Sequence, residues 1–237
     1  MKLVIMQPSY LPWLGYFDLF LSSDLFLVYD NVQFDKDGWR NRNKIKTSNG
    51  PLWLTVPVLT TGMNKPTNKD IQINPREPWA RKHLKSIEQN YRKAPYFNEI
   101  YPLLEKGLTR EWKYLLELNM YFIETINQYL GIQTAFKFAS EVKLDLPEGK
   151  NEKLVALCRH LKADEFYEPA GGKGYIDPGF FEQNGIRLSF QDYQHPVYPQ
   201  LNGAFVPNLS VIDLLFNRGR DSLAVIQSGN TAAVKKK

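Results

Sequence analysis

The sequence predicts an α/β protein with a parallel-sheet core of Rossmann-like type and a mostly helical insert. Three observations predict it. Two short apolar runs, Lys2–Gln7 and Leu25–Asn31, flank an aromatic segment of helical length at Leu14–Leu21. The second run is apolar almost throughout, which suits a strand covered on both faces, as in a parallel sheet with helical crossovers. The alternation of strand and helix then resumes after Gly131.

Taken in order, Lys2–Gln7 reads as a buried strand, Pro8 and Pro12 bracket a turn, and Leu14–Leu21 is a helix. Asp24 opens the second strand, and Leu52–Val58 reads as a third whose Pro57 lacks a ladder donor and marks an end or an edge. Residues 59–77 are polar and read as a loop holding a short strand at Asp70–Ile73. Pro78 suits the first turn of a helix to Arg92, Pro95–Pro102 punctuates the chain, and Glu111–Leu130 carries helically spaced apolar residues before the stop at Gly131. At least two helices are expected there. Beyond it the pattern gives a strand at Phe136–Ala139, a helix at Gly149–Leu161, a strand at Glu165–Tyr167, a helix at Pro178–Gln183, a strand at Ile186–Gln191 and a helix at Pro207–Phe216 capped by Asn208 or Ser210. The expected organisation is an N-terminal βαβ portion over 1–77 with a ligand site, a helical segment over 78–131, an α/β portion over 132–228 completing the same domain, and a disordered tail over 229–237.

Composition bounds the function. With 237 residues, 43% hydrophobic and 14% aromatic, the chain can bury a sizeable core and is not a disordered sequence. Its net charge is +5, but Lys235–Lys237 carry three of those units, so the body is nearly balanced and global charge argues for neither a nucleic-acid coat nor an acidic tail. Cys158 stands alone, which excludes an internal disulfide and a multi-cysteine zinc site and fits a reducing compartment. The N-terminal apolar run is too short for a signal peptide, and no stretch has the length of a membrane helix, so the expectation is a cytoplasmic protein without membrane insertion.

Four constellations carry chemistry, each with a plain structural alternative. Gln7–Asp18 follows the first strand, where open α/β sheets bind ligands; it holds Gln7, Ser9, Tyr10 and Asp18, but no glycine-rich phosphate loop, and also reads as a tight aromatic turn. In Trp39–Lys46, cations alternate with Asn41, Asn43 and Ile45. If extended, it aligns Arg40, Arg42, Lys44 and Lys46 on one face, a site for phosphate or carboxylate or else a solvated edge. Ala170–Tyr175 gathers Gly171, Gly172 and Gly174 around Lys173, an oxyanion-holding turn or a flexible βα turn. Gln191–Phe205 places His195 among Asp192, Tyr198 and Gln200; a histidine there can act as general base with Asp192 or Asp213 orienting it, or simply bond within a turn. His83 and His160 read as surface positions, and the three histidines lack metal-ligand spacing. The implied partner is an anionic small molecule, with no specific nucleic acid; oligomeric state is not readable.

The blocks IMQPSYLPWLGYFDLFLSSDLFLVYDNVQF, WRNRNKIKTSNGPLWLTVPV and FQDYQHPVYPQLNGAFVPNLSVIDLLFN resemble the WbqC-like family of bacterial proteins. Its motif positions carry over to Gln7, Pro8, Tyr10, Pro12, Gly15, Asp18, Asp30, Gln33, Trp39, Arg42, Asn43, Pro57, His195, Pro196, Gln200 and Asp213. The resemblance implies a role in surface polysaccharide, including the O-antigen of lipopolysaccharide: a transferase attaching a small acyl or aminoacyl group to a nucleotide-linked amino sugar, with a nucleotide or acyl donor as cofactor. A second likeness is to pantothenate synthetase and the HIGH-signature nucleotidyltransferases, and implies a HUP-like core. Here Pro12–Tyr16 keeps Gly15 but lacks both signature histidines.

Overall fold

The computed structural model describes residues 1–231. The chain opens β1 (Lys2–Met6), α1 (Leu14–Leu21), β2 (Leu25–Val28), continues through two antiparallel pairs, β3 (Arg42–Thr47) with β4 (Gly50–Thr55) and β5 (Val58–Leu59) with β6 (Gln72–Ile73), and then enters α2 (Trp79–Tyr91), α3 (Phe97–Leu108) and α4 (Leu115–Leu130). It returns as β7 (Ala135–Phe138), α5 (Lys150–His160), β8 (Glu165–Glu168), α6 (Pro178–Gln183), β9 (Arg187–Phe190), α7 (Val211–Arg218) and α8 (Ser222–Ser228).

Five strands form one sheet in the order β7-β2-β1-β8-β9, and every pairing is parallel. In chain order this is 3-2-1-4-5, the doubly wound arrangement in which ligands lie outside the carboxyl ends of the strands where the order reverses. That point falls between β1 and β8.

The apolar runs are continuous because both faces are covered. Val4, Phe26 and Val28 join a core with α1, α2, α3, α4 and α7, while Leu3, Ile5, Leu25, Leu27 and Phe166 join a second core with α5 and α6. Phe20 stacks on Phe26 at 3.8 Å between ring centroids, fixing α1 against β2.

The insert has three helices, in keeping with the at least two expected. Several other expectations are corrected. Although Pro95–Pro102 reads as a break, α3 runs through Pro102. The helix is held by its amphipathic face, Ile100, Leu104 and Leu108, whose burial outweighs one lost backbone bond. The last predicted helix starts at Val211, where the Ser210 hydroxyl accepts from Ile212 N, and α8 follows it unforeseen. Gly229–Thr231, assigned by composition to the tail, are packed: Asn230 is buried, bridges to Tyr193, and donates to Asp18 and Ser22. The rest of that tail lies outside the described residues.

Candidate functional site

The two ends of the chain meet at the loop after β1. Ser210 donates to Leu11 O at 2.7 Å and Val211 N to Pro12 O at 2.8 Å, while Gln191 donates to Gly15 O and to Asp18. These bonds fix the loop as a rigid lip at the carboxyl end of β1. A cavity of about 270 Å³ opens there, walled by Met6, Pro12, Trp13, Tyr16 and Trp39 and given polar character by Ser9, Arg40, Asn43 and Asn208.

Arg40 is the charged group of the cavity. It precedes β3, and its guanidinium turns inward: Nη1 donates to Gln7 O at 3.1 Å and to Ser9 Oγ at 2.8 Å, while Nε is shielded from solvent and has no protein partner. Burial pulls its pKa below the ordinary arginine value; the group stays protonated. None of the salt bridges among the described residues involves it. Its backbone carbonyl accepts from Tyr10 N and Asn119 Nδ2, so the side chain is anchored from both ends.

The face of four aligned cations does not form. Arg40 is inside the lip, and Lys46 is buried with Nζ donating to the carbonyls of Gly203 and Ala204. Arg42 and Lys44 alone share the outer face of β3. Arg42 lies 4.9 Å from the Trp53 ring centroid, held by Gly38 O and Asp37 O, and Lys44 Nζ lies 4.6 Å from Trp53 and 5.5 Å from Trp39. The two indoles are 5.0 Å apart and each about 42% exposed, an open aromatic rim beside the cavity.

Other candidates occupy structural positions. Tyr10 is buried with its hydroxyl on His83 Nδ1 at 3.0 Å; His83, expected at the surface, is buried too and burial lowers its pKa to about 4. Asp18 is buried on the inner face of α1, bonded by Gln191, Asn230 and Ser22. Asp30 accepts from Ser140 N and Oγ, tying β2 to the turn after β7. Gln7 Oε1 accepts from Asn68, and Gln200 clamps Val206 through both its amide atoms. Asn43 lines the cavity with its amide donated to Leu11 O.

Asp213 does not orient His195. Its two carboxylate oxygens accept from Tyr91 at 2.7 Å and Tyr198 at 2.9 Å in the core. The His195 ring bonds through Nδ1 to Pro196 O at 3.0 Å, stacks on Trp13 and Tyr198, and keeps Nε2 buried without a partner. Burial lowers its pKa, so the ring is neutral near pH 7. It sits behind Trp13, which walls the cavity.

Gly171, Gly172 and Lys173 form a 3₁₀ turn at the carboxyl end of β8. This turn supports a group the sequence reading missed, Glu168: buried, bonded by Tyr175 hydroxyl at 2.9 Å, and raised by burial to a pKa of about 7. A carboxylate at the end of a strand just before a glycine-rich turn was the available signal. Trp53 was missed as well; its register opposite Lys44 appears only once β3 and β4 pair. No group of three or more His, Cys, Asp or Glu that could hold a metal ion occurs among the described residues, and none of their helices is long and apolar enough to cross a membrane.

Comparison with known proteins places this geometry. No solved structure matches the chain. A protein of Mycobacterium tuberculosis, the uncharacterized protein Rv1507c, is 38% identical over 223 residues, covering 93% of this chain and 95% of that protein. The sequence model of the WbqC-like protein family matches residues 7–225, which takes in the lip, all of the cavity lining but Met6, the aromatic rim and α7. The chain belongs to the WbqC-like protein family.

Proposed function

We propose that the protein is a transferase that attaches a small acyl or aminoacyl group, such as glycyl, to an amino sugar carried on a nucleotide, in the making of surface polysaccharide. The observation that carries this reading is the Trp39–Trp53 rim with Arg42 and Lys44, set beside a cavity at the carboxyl end of β1. Indole faces take sugar or base rings, and neither cation enters a salt bridge among the described residues, so both can neutralise a diphosphate.

The proton acceptor in this reading is His195, whose Nε2 lies behind the Trp13 wall and meets an amine in the cavity once the Trp13 ring moves aside. With Nδ1 donating to Pro196 O, the neutral tautomer presents Nε2 as the acceptor, and a neutral base suits removal of a proton from an attacking amine. His195→Gln is expected to lower turnover by about 10²-fold or more with substrate binding kept; unchanged turnover removes the role.

Thermal stabilisation by UDP- and dTDP-linked amino sugars tests the reading. Wild type should shift at millimolar ligand and Lys44→Gln should not. No shift in wild type with any nucleotide sugar overturns the nucleotide-linked substrate. The 3-2-1-4-5 sheet order favours one alternative, an ATP-dependent ligase or nucleotidyl-transfer enzyme using the same crevice. Release of pyrophosphate from ATP with a panel of amino acids identifies it. Binding of a nucleotide sugar with no turnover of any kind would instead mark a non-catalytic binding protein.

A further inference from the structure

The cavity and its rim differ in size, charge and wall chemistry, and these differences divide the ligand between them. The cavity holds about 270 Å³, just below the usual range of small-molecule pockets of about 300–1,000 Å³, so it suits a small group rather than a whole nucleotide sugar. Five of its walls, Met6, Pro12, Trp13, Tyr16 and Trp39, offer mostly apolar or aromatic surface.

Its hydrogen-bonding capacity is narrow. Both hydrogen bonds of the Arg40 side chain leave from Nη1, and Nε is buried without a partner. Nη2 makes no hydrogen bond to protein and is not closed off, so it is the guanidinium nitrogen that remains to donate to one oxyanion, while Nε is sealed from solvent. Ser9 Oγ accepts from Arg40 and keeps its own proton to donate. The Asn43 amide is engaged by Leu11 O and Lys44 N.

Charge then selects the oxyanion. One guanidinium balances one negative charge. Lys46 is held by two carbonyls of the 203–204 turn, and Lys44 lies against the Trp39 and Trp53 rings on the rim. A phosphate dianion there would meet one lining cation, on which the Asp35 carboxylate already acts, so a monoanion is the better match. We infer that the Arg40 cavity is a subsite for a small monocarboxylate with a short apolar body, held by Nη2 of Arg40 with the Ser9 hydroxyl, while a phosphorylated co-substrate stays outside on the Trp39–Trp53 rim. This rests on the transferase reading for the second half alone; the carboxylate subsite stands on the cavity itself.

The experiment follows tryptophan fluorescence, since Trp13 and Trp39 line the chamber, in titrations with acetate, propionate, glycine, hexanoate, inorganic phosphate and sulfate. The expected result is saturable binding of acetate or propionate in wild type and in Lys44→Gln, and binding weakened by at least about tenfold in Arg40→Lys, which keeps the charge but loses the planar Nη2 donor. Arg40→Lys is the main variant because Arg40→Gln loses a buried cation and needs a matching thermal melt to be read. Hexanoate should bind more weakly than propionate. Tighter binding of phosphate than of any carboxylate, equal binding of hexanoate, loss of acetate binding in Lys44→Gln, or no saturable response to any carboxylate overturns the inference. In a parallel arm, thermal stabilisation by UDP-linked amino sugars should survive in Arg40→Lys and vanish in Lys44→Gln. Failure of that arm in wild type, with acetate binding intact, removes the nucleotide-sugar reading and leaves the carboxylate subsite standing.

Discussion

Replacing Asp213 by alanine separates a structural carboxylate from a catalytic one. Asp213 is fully buried, and its two oxygens accept from the hydroxyls of Tyr91 and Tyr198. The Tyr91 hydroxyl in turn accepts from Lys46 N, so a single network joins β3, α2, the 196–200 loop and α7. The alanine variant loses two hydrogen bonds to a charged acceptor and leaves two tyrosine hydroxyls buried beside a void. At about 2 kcal/mol for each such bond, the expected loss is about 4 kcal/mol. For a chain of this length that corresponds to a drop in Tm of roughly 8–16 °C. Asp213→Asn keeps an acceptor oxygen for one tyrosine and should cost about half as much. The assay is calorimetric or circular-dichroism melting of wild type, both Asp213 variants, Tyr198→Phe and the Asp213→Ala/Tyr198→Phe double variant. The double variant should lose less than the sum of the single losses, because the two groups share one interaction. A melting point within 2 °C or so of wild type for Asp213→Ala, at the size scaling used above, would refute the network as a stabilising element. So would strict additivity.

Glu168 gives a pH dependence with a definite sign. Its folded pKa of about 7 lies above the ordinary 4.5 because burial penalises the carboxylate, so between those values the native state holds a proton that the unfolded chain has released. Stability attributable to this group is therefore full below about pH 4.5 and falls as pH rises towards 7, by up to about 3 kcal/mol. Urea denaturation at about pH 5 and about pH 8 should show that slope in wild type and lose it in Glu168→Gln; an identical slope in both removes the assignment. Gly172→Ala would set a Cβ 2.3 Å from Glu168 Cγ, and displacing that buried side chain should cost about 1–3 kcal/mol in the same denaturation assay. A neutral effect would mean that the 3₁₀ turn yields freely.

Much of the fold is legible in the sequence because parallel strands covered on both faces leave an unbroken apolar signature. Lys2–Gln7 and Leu25–Asn31 carry it, and an aromatic helix sits between them. The helix expected near Pro178–Gln183 spans those residues, capped by Asp177 and opened by proline. The helix through Pro102 and the closing α8 were not legible: in the first, tertiary burial overrides a local breaker, and the second is a short helix whose place depends on packing against α1 and α7.

The sequence by itself determined the α/β class and the family, and it marked the stretch from Trp39 to Lys46 as the candidate for anion binding. Only the tertiary structure decided where each of its cations lies. A period of two tells which side chains share a face of an extended chain, but not where the strand begins or what covers each face. Arg40 lies before β3 and turns into the lip, Lys46 is enclosed by the Gly203–Ala204 carbonyls, and Arg42 with Lys44 remain on the rim. The same holds for Asp213, Tyr10 and Asp18, whose residue types suit a site but whose partners, supplied from as many as 212 positions away in the case of Asp18, place them in the core. Contacts at such separation arise from how the two ends of the chain pack around the first strand, and no local pattern encodes them.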